Sequence, residues 1–286
     1  MKILLTGIAG RVGRFVAREL VERGHSVLGI DVRPLPLEDR HESIDLRYAD
    51  IGDPLTMLSI MEGCDAVIHT AAYPTAHGRT SADVFRNNAQ GTQNILDAAV
   101  AQDVKRVVIT SSIGALGFSF PKHPCVLDYF PVDANYPRRP QDIYGLTKLI
   151  NEESAAAATR LNGISTIILR PPAVMDLEFA AKQGWLGRMS QRNSERREND
   201  LWAYIDSRDL AVFYCRSVES ELTGHQVFFT MADDLLNQLT VRELIEKFFP
   251  DRVADIEKLT GNTFYDLRPA EEAFGYKPIH LWKNYI

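Results

Sequence analysis

Lys2-Ile3-Leu4-Leu5-Thr6-Gly7-Ile8-Ala9-Gly10-Arg11-Val12-Gly13 is the stretch that decides the fold. An apolar run gives way to a glycine-rich turn and then to a helix-patterned segment. Each glycine has a separate physical task. Gly7 lets the chain turn tightly off a buried strand, and Gly10 lets backbone amides approach a pyrophosphate. Gly13 lets the helix pack closely on the sheet, so that its N-terminus faces the phosphates. The spacing is G-x-x-G-x-x-G rather than the shorter G-x-G-x-x-G form. A glycine turn without any ligand is the alternative, and the sequence around it bears on the choice.

The helix is predicted over Arg11 to Arg23, with Val12, Phe15, Val16 and Leu20 on one face and Gly24 as its stop. A second apolar run, Ser26-Val27-Leu28-Gly29-Ile30, ends in Asp31. In a strand–helix–strand unit of this size, a carboxylate there lies beside the adenosine ribose. It accepts from the ribose hydroxyls and repels a 2′-phosphate. Asp31 therefore favours NAD over NADP, although Arg33, or Arg11 in the turn, offers a guanidinium that could meet a phosphate. A solvated turn aspartate is the alternative reading of Asp31.

Strand-like runs recur at Lys2–Thr6, Ser26–Ile30, Asp65–Thr70, Arg106–Ser111, Ile164–Arg170 and Gln226–Thr230, with helical patterns at Pro54–Met61, Val84–Ala101 and Ile143–Leu161. Continuous apolar strands alternating with helices predict an α/β fold. Its core is a doubly wound parallel sheet of the Rossmann type, covered on both faces, with ligands at the strand C-termini. Residues 1–174 and 203–232 are expected to form the nucleotide-binding domain. Residues 175–202 and 233–286 are expected to form a small, mainly helical substrate-binding region from split segments. Two stretches break the rhythm. Gly114–Asp142, with Pro121, Pro124, Tyr129, Phe130, Pro131, Tyr136, Pro137 and Pro140, reads as an irregular loop over the sheet edge. Leu177–Leu201 carries Arg188, Arg192, Arg196 and Arg197 among Glu195, Glu198 and Asp200, and reads as a solvated loop. The alternative is a lid whose arginines meet an anionic substrate.

The 286 residues are 45% hydrophobic and carry a formal charge of −6, enough for a large core. With no basic block, neither nucleic acid nor an anionic membrane is expected as a partner. Cys64, Cys125 and Cys215 are scattered without metal-ligand spacing, so no metal is expected and the thiols read as reduced. The apolar start breaks at Thr6-Gly7, too early for a signal peptide, and no run approaches the ~18 apolar residues of a membrane span. These features predict a cytoplasmic protein.

Tyr144-Gly145-Leu146-Thr147-Lys148 sets a tyrosine and a lysine four residues apart on one face of a predicted helix. A phenol near pKa ~10 is a poor acid or base at neutral pH. An adjacent ammonium favours the phenolate and is expected to lower that value. Tyr144 would then move a proton to or from an alcohol or carbonyl oxygen, and Lys148 could also bond a ribose. Such a pair is common on surface helices. Thr110-Ser111-Ser112, however, ends a strand at the ligand-binding edge, where a hydroxyl could bond the same substrate oxygen. A turn or cap serine is the alternative for Ser112.

Together these motifs resemble the extended short-chain dehydrogenase/reductase superfamily, the NAD-dependent epimerase/dehydratase family. The resemblance runs through Thr6–Gly13, Asp31, Asp50-Ile51, His69-Thr70-Ala71-Ala72, Asn88-Ala89-Gln90-Gly91-Thr92, Ser111-Ser112, Tyr144–Lys148, Arg170-Pro171-Pro172-Ala173-Val174, Tyr204–Ala211 and Phe274-Gly275-Tyr276-Lys277-Pro278. It implies NAD as cofactor, a homodimer, and a small-molecule, carbohydrate-like substrate: a sugar, sugar acid or nucleotide sugar. It implies Gly7, Ala9, Gly10, Arg11, Val12 and Gly13 at the phosphates, Asp31 and Arg33 at the ribose, and Asp50 and Ile51 at the adenine. Ala71 and Ala72 would wall the nicotinamide ribose, with Asn88 near the site and Pro171, Ala173 and Val174 along the carboxamide. Ser112, Tyr144 and Lys148 would be catalytic, with Ser111 replacing Ser112 if the strand slips by one. The span from Pro171 to Tyr204 is shorter than in typical nucleotide-sugar epimerases, which suggests a smaller substrate, as in the compact uronate dehydrogenases. Phe118, Phe120 or Tyr129 is expected to line the pocket. The competing reading is a non-catalytic NAD-binding regulatory module.

Overall fold

The computed structural model describes residues 1–123, 125, 127–195 and 199–286. Its strands are β1 (Lys2–Thr6), β2 (Ser26–Asp31), β3 (Ile44–Tyr48), β4 (Ala66–His69), β5 (Arg106–Thr110), β6 (Ser165–Arg170), β7 (Ala173–Met175), β8 (Tyr204–Asp206) and β9 (His225–Phe229). Seven of them form one parallel sheet in the order β3-β2-β1-β4-β5-β6-β9, while β7 and β8 pair separately. Ile3 faces Val27 on one side and Ala66 on the other, which fixes the central register.

The helices are α1 (Arg11–Glu22), α2 (Pro54–Ile60), α3 (Ser81–Phe85), α4 (Gly91–Ala101), α5 (Ile143–Asn162), α6 (Leu177–Lys182), α7 (Trp185–Glu195), α8 (Ser207–Glu219), α9 (Val241–Phe248) and α10 (Arg268–Phe274). Ile3 and Leu5 of β1 face a core shared with Val16 and Leu20 of α1, Leu210 and Tyr214 of α8, and Phe274 of α10. Leu4, between them, faces the opposite core with Met57 of α2, Leu96 of α4 and Ala155 of α5. Burial on both faces explains why these strands read as continuous apolar runs. Strand order reverses between β1 and β4, so their C-terminal ends flank the crevice where such sheets bind ligands.

Four features depart from the sequence-based expectations. β3 was not predicted: it is an edge strand whose Asp45, Leu46, Arg47 and Tyr48 are exposed, so no apolar run marks it. The helix predicted over Val84–Ala101 is interrupted by a π-helical turn at Arg86–Gln90. The predicted loop Leu177–Leu201 contains α6 and α7, because Leu177, Ala180 and Leu186 pack with Tyr204, Leu236 and Trp282. Within it, Arg196, Arg197 and Glu198 lie outside the described residues, as does Pro124 of the earlier loop. The fourth departure is the separate pair β7–β8, two three-residue strands that no predicted run marks. The described residues of Gly114–Asp142 are irregular beyond a short 3-10 turn at Ile113–Leu116, and Phe130 packs on Phe264 at 4.9 Å with the rings tilted.

Candidate active site

Most helices here begin under a side-chain cap. Asp53, Thr80, Asp142, Asp176, Asp206 and Thr240 accept backbone amides at the starts of α2, α3, α5, α6, α8 and α9. α1 starts from Gly10 with no capping side chain and no acidic residue in its first turn. Its first amides are therefore orphan donors at the sheet edge, the arrangement that suits an anion. The glycines keep that approach open. Gly7 has φ +72°, and a Cβ there would lie 2.8 Å from the Ala71 backbone. A Cβ on Gly13 would lie 2.2 Å from the Gly7 carbonyl, so any side chain would push α1 off the turn.

Asp31, at the end of β2, accepts from Ala9 N–H at 3.0 Å and from Arg33 N–H at 2.9 Å. This fixes the carboxylate against the glycine turn. The Arg33 guanidinium extends outward and reaches Asp31 at only 3.5 Å. Arg11 crosses from the turn to the Val174 carbonyl at 3.2 Å, and Pro171 accepts from Ile113 N–H at 3.2 Å. The Pro171–Val174 segment is thereby held beside both the glycine turn and the serine strand. Ala71 donates its amide to Thr6 Oγ1 at 3.2 Å, and Ala72 follows it at the same edge. At the far end, Asp50 caps Gly52 N–H at 2.8 Å, and the Ile51 carbonyl accepts from Asn94 at 2.9 Å. A cavity of about 550 Å³ opens beside Asp50.

Ser112, Tyr144 and Lys148 converge beyond β5. The Ser112 hydroxyl lies near enough to the Tyr144 phenol to favour its ionised form, and it accepts from Gly114 N–H at 3.0 Å. Lys148 Nζ donates to the Thr110 carbonyl at 2.7 Å and lies 5.5 Å from the centre of the Tyr144 ring. Ser111 points elsewhere, donating to the buried Glu152 carboxylate. The expected lowering of the phenol pKa is not found. Burial pushes Tyr144 up to about 12, the Ser112 hydroxyl opposes this, and Asp142 adds to it. Burial also pushes Lys148 down to about 8, partly opposed by Glu152. Desolvation sets both directions, with Lys148 buried and Tyr144 partly buried, because each loses hydration that favours its charged form. The resting phenol is therefore an acid.

A polar framework fixes these parts. Thr92 donates its hydroxyl to the Asn88 carbonyl at 2.6 Å, so it must accept from His69 Nε2–H at 3.0 Å. His69 Nδ1 is then left to accept from Thr6 at 2.7 Å. Burial, with the nearby Lys148 charge, pushes His69 down to about 3, so it is neutral. Asn88 spends its amide on Tyr73 N–H (2.8 Å), the Tyr73 carbonyl (3.0 Å) and Thr147 (3.2 Å). It therefore ties the chain after β4 to α5. Glu152, four residues after Lys148, forms a bidentate pair with Arg170 at 2.8 Å through both oxygens. Both are buried, and such a pair is costly to break singly, about 3–5 kcal/mol. Asp209 of α8 accepts from Tyr276, Ile279 and His280, and so anchors the C-terminal segment.

Of the aromatics expected at the pocket, Phe118 and Tyr129 are instead packed around Tyr136, at 5.5 and 4.8 Å. Phe120 meets the Tyr144 ring edge-on at 6.3 Å, is 56% exposed, and adopts φ +48°. The left-handed conformation costs a phenylalanine about 1–2 kcal/mol, so the surrounding loop holds this ring in place.

Residues 3–176 match the NAD dependent epimerase/dehydratase family. The chain belongs to it. Cinnamoyl-CoA reductase 2 of Arabidopsis thaliana is 26% identical over 263 residues, covering 87% of this chain and 78% of that protein. Uronate dehydrogenase of Pseudomonas syringae is 26% identical over 234 residues, 82% of this chain and 75% of its own. Among solved structures, a short-chain dehydrogenase/reductase superfamily protein from Agrobacterium tumefaciens with bound NAD superposes with TM-score 0.75. It shares 22% identity, over 100% of this chain and 94% of that one. The protein is thus an NAD-dependent enzyme of the epimerase/dehydratase family. The uncapped α1 terminus and the glycine cradle suit a dinucleotide pyrophosphate on geometry alone.

Sequence reasoning singled out neither Glu152 nor Tyr73, and gave His69 no role beyond its motif. Glu152 lies four residues after Lys148 on the same helix face, a signal available in the sequence. Tyr73 carried none, since its place depends on Asn88.

Proposed function

We propose that the enzyme oxidises a secondary alcohol, or reduces the matching carbonyl, on a carbohydrate-like substrate. Tyr144 is the acid/base, Lys148 its electrostatic partner and ribose anchor, and Ser112 the orienting donor. The observation that carries this reading is the convergence of the three side chains at the same sheet edge as the uncapped α1. The cradle of Gly7, Ala9, Gly10, Arg11, Val12 and Gly13 holds the phosphates, and Asp31 and Arg33 the adenosine ribose. Asp50 and Ile51 hold the adenine, and Ala71, Ala72, Asn88, Pro171, Ala173 and Val174 border the nicotinamide half. Bound NAD supplies the hydride acceptor or, reduced, the donor.

The remaining chemistry belongs to the chain. Ser112 lies beside the Tyr144 phenol, so an oxygen seated between them accepts from both hydroxyls. In reduction, the protonated Tyr144 donates to this oxygen as negative charge develops on it. The Lys148 ammonium, held by Thr110 against the phenol, stabilises the phenolate left behind. In oxidation the same groups run in reverse, with the phenolate as base. Ser111 is engaged by Glu152, which supports Ser112 as the orienting hydroxyl.

The short segment between β7 and β8 favours a substrate smaller than a nucleotide sugar, and the uronate dehydrogenases among the relatives support a sugar acid. Residues 175–202 and 233–286 would form the substrate-facing cap, although Ala270 and Phe274 of α10 pack back on the sheet. A second reading, a carbonyl reductase for an aromatic acyl substrate, is favoured by the exposed Phe120 ring against Tyr144 and by the cinnamoyl-CoA reductases. We further read the enzyme as a cytoplasmic homodimer, which light scattering and fractionation would check. No helix among the described residues is long and apolar enough to cross a membrane.

The test of function follows NADH absorbance across sugars, sugar acids, nucleotide sugars and aromatic acyl thioesters, with NADP(H) run in parallel. Turnover of a uronate with NAD is expected. Activity confined to the acyl thioesters would move the substrate to the second class, and preference for NADP would mean that Arg33 or Arg11 overrides Asp31.

A further inference from the structure

The cavity of about 550 Å³ beside Asp50 falls within the size of ordinary ligand clefts. It is lined by Asp50, Gly52 and Asp53, past β3, by Tyr73 and Arg79 from the segment between β4 and α3, and by Asp83, Arg86 and Asn87. The two arginines differ. Arg86 is paired with Asp83 at 2.9 Å, whereas Arg79 closes no salt bridge among the described residues. Its guanidinium instead lies 4.1 Å from the centre of the Tyr73 ring and donates to the His77 carbonyl at 3.3 Å. Tyr73 is itself fixed through its backbone, which exchanges two hydrogen bonds with the buried Asn88.

A planar guanidinium over a phenol, lining one cavity with a carboxylate, suits a flat base carrying an exocyclic amino group. Asp50 Oδ1 is engaged by Gly52 N–H, which leaves Oδ2 to accept from that amino group. We propose that the Tyr73–Arg79 stack is a wall of the adenine seat and sets the affinity for the adenosine half of the cofactor. This rests on the cofactor placement proposed above and adds two residues to it. Tyr73 joins the two halves through its backbone, bonded to Asn88, so the proposed wall consists of the Tyr73 and Arg79 side chains that line the cavity with Asp50.

The test uses NADH, ADP-ribose and reduced nicotinamide mononucleotide as separate probes of the whole cofactor and its two halves. Arg79 is exposed and Tyr73 half-exposed, so Arg79→Ala and Tyr73→Leu leave the core unchanged. Each is expected to weaken NADH and ADP-ribose by about five- to thirtyfold, the size of one lost base stack, and to leave the mononucleotide within twofold. Arg79→Lys, which keeps charge but loses the plane, should fall between. Unchanged ADP-ribose affinity, or an equal loss for the mononucleotide, overturns the inference. Gly10→Val separates its failure from that of the seat. If Gly10→Val abolishes NADH binding while Arg79→Ala does nothing, only the wall is wrong. If neither variant matters, the seat is wrong and the inference falls with it.

Discussion

α1 and α5 both present an N-terminus to the ligand edge of the sheet, and they solve opposite problems. α1 leaves its first amides uncapped and places three glycines where side chains would intrude, so its site is made of backbone. α5 closes its terminus with Asp142, which accepts from Gly145 N–H at 3.1 Å, and puts Tyr144 and Lys148 on its first turns. Its site is made of side chains. A backbone site can be spoiled only by adding bulk, and the loss appears as cofactor affinity. A side-chain site can be spoiled by removing one atom, and the loss appears as turnover. The two regions should therefore respond to mutation along separate axes.

The largest effect is expected at the phenol. Tyr144→Phe removes one hydroxyl and should lower turnover by on the order of 10²–10⁴, the span for a positioned proton transfer, with NADH affinity within twofold. Steady-state kinetics beside a fluorescence titration measure both. Lys148→Met comes next, at on the order of 10²–10³ in turnover, comparable to losing one charge-stabilising donor. It should blur the division, because the same ammonium anchors the ribose, so NADH affinity falls too. Retained affinity in Lys148→Met would confine that residue to the phenol.

Ser112→Ala should cost roughly ten- to a hundredfold in turnover, the loss of one hydrogen bond to a charged oxygen, with little change in affinity. Ser111→Ala should instead lower thermal stability, since its hydroxyl serves the buried Glu152–Arg170 pair. Reversed outcomes would assign the orienting role to Ser111. The smallest effect is in pH. In the ligand-free enzyme Lys148 is protonated below about 8 and loses its charge as pH rises through that value, whereas Tyr144 stays protonated to about 12. The kcat/KM for carbonyl reduction should be flat below about 8 and fall above it. A limb that persists in Lys148→Met would belong to another group.

The α1 region was legible because its signals are local. Buried runs, glycine spacing and the acidic strand end at Asp31 all fall within about thirty residues. The α5 pair was legible as a helical spacing, but its electrostatics were not. The direction of the Tyr144 shift depends on burial supplied by the whole fold, which the spacing of Tyr144 and Lys148 does not reveal. Ser112 could not be separated from Ser111 until the register of β5 and the position of Glu152 were known. β3 escaped because its side chains are solvated, and the π-helical turn escaped because Asn88 bonds Tyr73 and Thr147, far away in sequence. α6 and α7 were hidden for a related reason: Glu178, Lys182, Arg188 and Arg192 are exposed, while the few apolar residues meet partners near Trp282.

The most direct test of the two-axis account sets Gly10→Val beside Tyr144→Phe and measures NADH affinity for both. A Cβ at Gly10 would sit 3.0 Å from the Gly7 carbonyl, a contact met by a shift of a few tenths of an ångström, and the valine methyls would stand where a pyrophosphate must approach the amides. Gly10→Val should fold with a thermal midpoint near that of wild type and lose NADH affinity by at least about tenfold, while Tyr144→Phe keeps it. Wild-type affinity in Gly10→Val, or an equal loss in both variants, would contradict the separation of cradle from chemistry.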